Sequence, residues 1–278
     1  MKRYLFFSLA LALAAVSCDK IEADSEGRYI QFSGATGEWY DGKGVADHSQ
    51  RVLLEKYTGV RCKNCPDGDA VIYAALESYG HKLVALAIHD SSSFTRPYGN
   101  DARLSTAEGE EWSNYFGISA YPTAMANRKY NDGYSLFNPA GGVNAEVDEA
   151  LGEPTRVALA VTSDRNGAAY TIDVDIEFLQ DVADPLTLTL LLMEDSVRAT
   201  QLQPDGSTKD TNYIHNHLLR DVITNAWGAD ISADGKAGTK RHARFAYTVQ
   251  NPLWKPEHCK VVAFISDKNT RQILNVAE

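Results

Sequence analysis

The chain has 278 residues, 27 of them basic and 37 acidic, with a formal charge of −10 and 44% hydrophobic residues. Such acidity excludes nucleic acid as a partner, because a polyanion demands a clustered basic footprint, and the one basic run, Lys240-Arg241-His242-Ala243-Arg244, is short and set in a strand pattern. The length exceeds one domain of about 150 residues and suits two small ones, and beyond Val16 no apolar run is long enough to cross a membrane as a helix.

Lys2 and Arg3 precede an apolar run over residues 4–16 that is too short to span a bilayer, and small residues follow it. This layout predicts a secretory leader over residues 1–17. The leader ends Ala14-Ala15-Val16-Ser17-Cys18, which resembles the bacterial lipobox, in which the cysteine is acylated and becomes the new N-terminus. Cys18 is therefore expected to carry a lipid that attaches the chain to a membrane, with residues 18–50 as the lipidated N-terminus and tether. Loss of Lys2 and Arg3 with the leader takes the 27 basic residues to 25 and the net charge from −10 to −12. Asp19, Glu22, Asp24 and Glu26 make the start of the tether acidic. Acidic residues behind the lipidated cysteine resemble the signal that exports Bacteroidetes lipoproteins to the cell surface, whereas Asp19 directly after the cysteine matches an inner-membrane retention signal of other Gram-negative groups. The expected location is the outer membrane, at the cell surface or on the periplasmic face.

A strand-like run over residues 52–58 and a helix-like run over residues 70–79 bracket Arg61-Cys62-Lys63-Asn64-Cys65-Pro66. A thiol at the first turn of a helix meets unpaired backbone N–H groups and the positive end of the dipole, which favour its thiolate. Cys62 is expected to attack, and Cys65, about one turn further on, to resolve the mixed disulfide. A buried strand over residues 83–89 follows, then a polar insertion over residues 91–111 with a short helix over 104–111, then the segment 117–126. Strand, crossover helix and strand predict a parallel pair in a layered α/β domain. The insertion suits either a binding face or a plain surface elaboration. His89-Asp90 closes the second strand, near the dithiol or as a loop cap.

This order resembles the thioredoxin superfamily, whose members carry Cys-x-x-Cys at a helix N-terminus and, later, a cis-proline just before a strand. Tyr121-Pro122-Thr123 ahead of Ala124-Met125-Ala126 matches that second element. The resemblance implies a domain over residues 51–153, closed by a helix over residues 144–151, with Tyr121 and Pro122 framing the substrate. Proline has no N–H of its own, so a substrate backbone is free to pair with the residue before it. The superfamily also has a buried acid six residues before the first cysteine as proton carrier. Here that place holds Lys56, with Glu55 beside it, and strand neighbours point to opposite faces. A lysine under the dithiol favours thiolate, whereas a buried Glu55 serves as an acid and base.

Beyond Pro154 the pattern turns to β, over residues 157–162, 169–179, 186–193, 241–249 and 260–266, with Asn166-Gly167 as a hairpin signal. Tyr170, Ile172, Val174, Ile176 and Phe178 alternate with Thr171, Asp173, Asp175 and Glu177, as in a strand with one wet face. Residues 154–278 are thus expected to form an immunoglobulin-like sandwich, which makes the whole an α/β thioredoxin-like N-terminal domain plus an all-β immunoglobulin-like C-terminal domain. The lipobox, the run Tyr57-Thr58-Gly59-x-x-Cys62-x-x-Cys65-Pro66, and Tyr213-Ile214-His215-Asn216-His217-Leu218-Leu219-Arg220-Asp221-Val222 with Trp227-Gly228 together resemble the outer membrane protein 28 family of Bacteroidetes lipoproteins. That resemblance implies the same two-part architecture.

No metal or nucleotide is expected. His215 and His217, at i and i+2 on a strand, could join Cys62 and Cys65 as zinc ligands, but Leu218-Leu219 and Val222-Ile223 mark core anchors beside which hydrogen-bonded surface histidines fit better. Cys259, ahead of the apolar residues 261–265, reads as an inert strand cysteine rather than an exchange partner.

Two functions remain. One is thiol–disulfide exchange on exported proteins, with no cofactor beyond the Cys62 and Cys65 dithiol. The other is a non-catalytic adhesion or binding lipoprotein that contacts a surface protein partner through the sandwich or the insertion and keeps the two cysteines as a structural bridge. The exchange reading requires a Cys62 sulfur open to solvent with the Pro122 imide beside it. The anchor is directly testable: metabolic labelling with an alkyne fatty acid should tag the wild-type chain but not Cys18→Ser, and an untagged wild type would remove the anchor.

Overall fold

A computed structural model of the chain describes residues 21–23, 29–31, 39–231 and 233–278. Cys18, the leader and most of the tether lie outside the described residues. Two compact units divide between residues 32 and 33. In the first, Ile21–Ala23 and Tyr29–Gln31 pair as antiparallel strands.

In the second unit, β1 (Val52–Tyr57) and β2 (Leu83–Ile88) are parallel neighbours joined by α1 (Cys65–Tyr79), and β3 (Thr123–Ala126) pairs antiparallel with β1. α2 (Ala107–Phe116) precedes β3 and α3 (Asn144–Gly152) follows it. Every residue of β1 and β2 is buried, as in strands covered on both faces. Val52 and Leu54 cluster with Ile72 and Ala75 of α1 and Val147 of α3, while Leu53 and Tyr57 cluster with Trp112 and Phe116 of α2. α1 begins at Cys65, so Cys62 sits in the turn before the helix rather than within it. α2 lies later than the expected 104–111 because Thr106 Oγ1 accepts from Gly109 N–H at 3.0 Å and caps its start, and left-handed Gly117 (φ 69°) ends it.

The β-rich half supplies β4 (Val157–Asn166), β5 (Ala169–Phe178), β6 (Leu186–Glu194), β7 (Leu218–Val222), β8 (Lys240–Thr248), β9 (Cys259–Asp267) and β10 (Ile273–Ala277). β4 and β5 form the hairpin that Asn166-Gly167 predicts, and with β8 and the short strand Tyr40–Asp41 they make a four-stranded antiparallel sheet. The other strands extend the first sheet, whose order is β10-β9-β6-β7-β2-β1-β3. β7 joins β2 in parallel through Leu218 and Ala87, and the Ala87 N–H donates to His217 O at 2.7 Å.

A free-standing immunoglobulin-like sandwich over residues 154–278 is therefore not what forms; the fold is mixed α/β, with one sheet running through both expected halves. The reason is β6, whose nine residues are all buried. Leu188, Leu190 and Leu192 cluster with Ile172, Val174 and Phe245 of the four-stranded sheet, while Leu191 and Met193 cluster with Trp112 and Phe116 of α2. A sandwich strand needs one wet face, and this one has none.

On the α2 side of β1, Arg128 meets Glu55 in a fully buried bidentate pair, with Nε and Nη2 donating to the two carboxylate oxygens at 2.8 and 2.7 Å. The guanidinium lies 4.6 Å from the Trp112 ring centre and 5.0 Å from those of Phe116 and Phe264. Arg128→Leu, which strands the Glu55 charge, should cost about 3–5 kcal/mol in urea unfolding, and Glu55→Leu in the same chain should recover much of it. Equal midpoints for wild type and the single variant would show that the pair holds nothing together.

Candidate functional site

β1 delivers the chain into the turn at residues 58–62, where Thr58 N–H donates to Ile88 O at 3.0 Å and Cys62 N–H to Gly59 O at 3.0 Å. Cys65 then opens α1, its N–H donating to Cys62 O at 3.3 Å, and Pro66 sits in the first turn, where a missing N–H costs nothing. The two sulfurs are joined as a disulfide, with Cα atoms 5.4 Å apart.

The Tyr121–Pro122 peptide is cis and precedes β3. Pro122 packs on the start of α1 at Gly68: a Cβ there would lie 3.2 Å from Pro122 Cγ and 3.2 Å from Pro139 Cγ. Glycine at this position lets the imide ring reach the helix three residues after Cys65. Tyr121 Oη hydrogen-bonds Asp90, which also accepts from Ser113 Oγ at 2.6 Å, and the Phe94 ring centre lies 5.3 Å from that of Tyr121. Asp90 of the sequence-predicted His89-Asp90 pair thus positions the proline loop.

Lys56 and Glu55 separate as strand alternation requires. Glu55 is held by Arg128 on the α2 face. Lys56 lies under α1, buried, with its ammonium against Asp69 Oδ1, and Asp69 Oδ2 accepts from Tyr213 Oη at 2.8 Å. Burial pushes the Lys56 amine down to about 7. Lys56 thus lies on the sheet face that α1 covers, and Glu55 on the face that α2 covers.

The structure overturns the expectation of a Cys62 sulfur open to solvent: the disulfide is walled off, with Cys62 2% exposed and Cys65 0%, so exchange at Cys62 needs this cover to part. Part of the wall is the insertion after β2, where Arg61 Nε and Nη2 donate to Arg96 O and Pro97 O at 2.7 and 2.8 Å, and Arg61 N–H donates to Phe94 O at 2.8 Å. The rest is residues 195–217, between β6 and β7, whose contacts with the turn are direct. Buried Gln201 donates from Nε2 to Cys62 O at 3.0 Å and Gly59 O at 3.4 Å, and Leu202 N–H donates to Val60 O at 2.9 Å.

Three residues that sequence reasoning did not single out as functional meet here, Gln201, Asp69 and Tyr213, and His215, considered there only for zinc, lies against His89. His89 is 1% exposed and neither ring nitrogen has a protein hydrogen-bond partner; His215, whose Nε2 also lacks one, lies with its ring centre 5.8 Å away. Burial holds both imidazoles neutral, His89 well below 6.5 and His215 down to about 4, and the nearby charges of Lys56 and Arg220 add to this. A histidine at the end of an otherwise apolar strand was the one available signal. His215 and His217 do not form the pair considered for zinc: His217 has φ 58° and its Nδ1 lies 3.5 Å from Asp195 Oδ1. Cys259 is free and half-buried on β9, and burial raises its thiol to about 12.

A family profile described as outer membrane protein Omp28 matches residues 110–278. No curated protein sequence matches the chain. Among solved structures, HBP35 of Porphyromonas gingivalis superposes with a TM-score of 0.62 at 18% identity, over 84% of this chain and 75% of that one. A structural-genomics protein from Agrobacterium tumefaciens gives 0.48 at 15% identity, over 83% of this chain and 94% of that one. The germline-specific thioredoxin Deadhead of Drosophila melanogaster gives 0.26 at 14% identity, over 37% of this chain and 83% of that one.

The imidazole pair makes stability pH-dependent in a stated direction. Both groups have folded pKa values below their unfolded ones, so between pH 6.5 and about 4 the unfolded chain takes up protons that the fold refuses, and stability falls as pH falls. Tm measured across this window should fall more steeply for wild type than for His89→Leu/His215→Leu; parallel curves would contradict the assignment.

Proposed function

The chain belongs to the outer membrane protein Omp28 family, and from that premise we propose that it is an envelope thiol–disulfide exchange protein, anchored through a lipid on Cys18, whose disulfide is closed and covered at rest. The observation that carries this reading is the convergence on one helix end of Cys62, Cys65 and the cis Tyr121–Pro122 peptide. The start of α1 favours negative charge on whichever sulfur leaves, and Lys56, poised near neutrality in the same layer, is a base or acid of suitable strength. The substrates are cysteines of exported proteins. Family membership supports the outer membrane as location; the anchor and its face belong to the proposal.

Burial of both sulfurs favours a second reading, a binding or adhesion scaffold in which the same disulfide is a structural bridge. Redox titration separates the two. For an exchange protein the Cys62–Cys65 couple should lie above about −300 mV, insulin reduction by dithiothreitol should be accelerated by wild type and not by Cys62→Ser, and Cys65→Ser should accumulate mixed disulfides. A couple well below that value, with no acceleration, would leave the scaffold reading standing.

A further inference from the structure

The strands within residues 195–217 are short and local: Val197–Arg198 pairs with Ile214–His215, and Gln201–Leu202 with Lys209–Asp210. What this segment presents to the dithiol turn is an extended stretch of chain. Its backbone N–H at Leu202 takes Val60 O, and its Gln201 amide takes Gly59 O and Cys62 O. Those three carbonyls belong to the turn that carries Cys62, and an extended polypeptide arriving there would donate to the same acceptors. Resting on the exchange reading above, we propose that residues 200–203 are an internal stand-in for the client, and that an extended segment of a client polypeptide bearing two thiols gains Cys62 by replacing Gln201 and Leu202 at those carbonyls.

The seam that must part is mostly polar. Thr200 N–H donates to Asp101 Oδ2 at 2.9 Å, Tyr213 Oη to Asp69 Oδ2 at 2.8 Å, and Asn216 Nδ2 to Tyr73 Oη at 3.5 Å. On the apolar side it offers Val197 and Ala199 against Val60, Leu104 and Leu218. His89, with neither ring nitrogen partnered, faces His215, whose Nε2 is unpartnered, beside Lys56. Buried polar atoms without partners weaken the closed state, and water or a client can satisfy those that opening exposes. A seam built to stay shut would be apolar.

The chemistry balances within the two molecules. One client thiolate attacks Cys62 Sγ; the Cys62–Cys65 bond breaks, its electron pair leaves on Cys65 Sγ, and a mixed disulfide forms. The client's second thiolate then attacks the client sulfur of that bond, releasing Cys62 as thiolate. The client dithiol is oxidised to a disulfide, the protein disulfide is reduced to two thiols, and the client's two protons end on Cys62 and Cys65.

Leu202→Pro deletes the N–H that reaches Val60 without adding charge, and Gln201→Ala deletes the amide. In the full chain, the rate of Cys62–Cys65 reduction by tris(2-carboxyethyl)phosphine at pH 7 should rise about tenfold in either variant, as expected when one buried hydrogen bond no longer holds the cover. A reduced, unstructured two-cysteine peptide should reduce wild type faster than dithiothreitol at equal thiol concentration, and that advantage should shrink in Leu202→Pro. If Leu202→Pro fails to fold by circular dichroism, Gln201→Ala alone decides. Unchanged rates in a folded variant, with wild type still accelerating insulin reduction, would overturn the stand-in and leave exchange intact. A disulfide resistant to reduction in wild type and variants alike would instead remove the exchange reading on which it rests.

Discussion

One strand without a wet face governs this fold. Leu186–Glu194 carries large apolar groups on both sides, and leaving Leu191 and Met193 in water would forgo roughly 1.5–3 kcal/mol each, a large share of a typical domain's stability. The four-stranded sheet covers one side only. The other side finds its cover in α2, an element from the earlier half of the chain, so the two halves merge into one sheet instead of sitting side by side. Strand pairing then follows: β7 bridges β6 to β2, and the hydrogen-bond ladder crosses the point where composition changes from α/β to β.

That merger decides what happens at the dithiol. Because the chain enters β7 at His217, paired beside Ala87, the residues just before it must cross the ends of β1 and β2, where the Cys-x-x-Cys turn and the start of α1 lie. The cover over Cys62 is a consequence of sheet order as much as of local attraction. A thioredoxin-like unit ending at residue 153 would have no such segment to cover its disulfide.

Residues 55 and 56 show how one peptide step assigns different physical roles. Glu55 points to the α2 face, where Arg128 satisfies both its oxygens and three aromatic rings enclose the pair; nothing there is left to rearrange. Lys56 points to the α1 face, into a layer containing Asp69, Tyr213, His89 and His215, in which several polar atoms lack partners and burial disfavours a proton on Lys56, His89 and His215. The first environment is suited to holding the sheet, the second to changing state.

The local features were legible from the residues. Cys62 and Cys65 before a helix, Pro122 before β3, the β4–β5 hairpin at Asn166-Gly167 and the alternation along Ala169–Phe178 all depend on neighbours a few positions apart, and turn chemistry and side-chain period encode them directly. The leucine-rich run of residues 186–193, broken only by Thr187 and Thr189, was a visible hint of two-sided burial, read only as one β-run among several. Burial of the sulfurs, the faces and partners taken by Glu55 and Lys56, and the meeting of His89 with His215 were decided by tertiary structure alone. They join residues more than a hundred positions apart or turn on which of two equivalent faces a strand presents, and no local rule states what will arrive on that face.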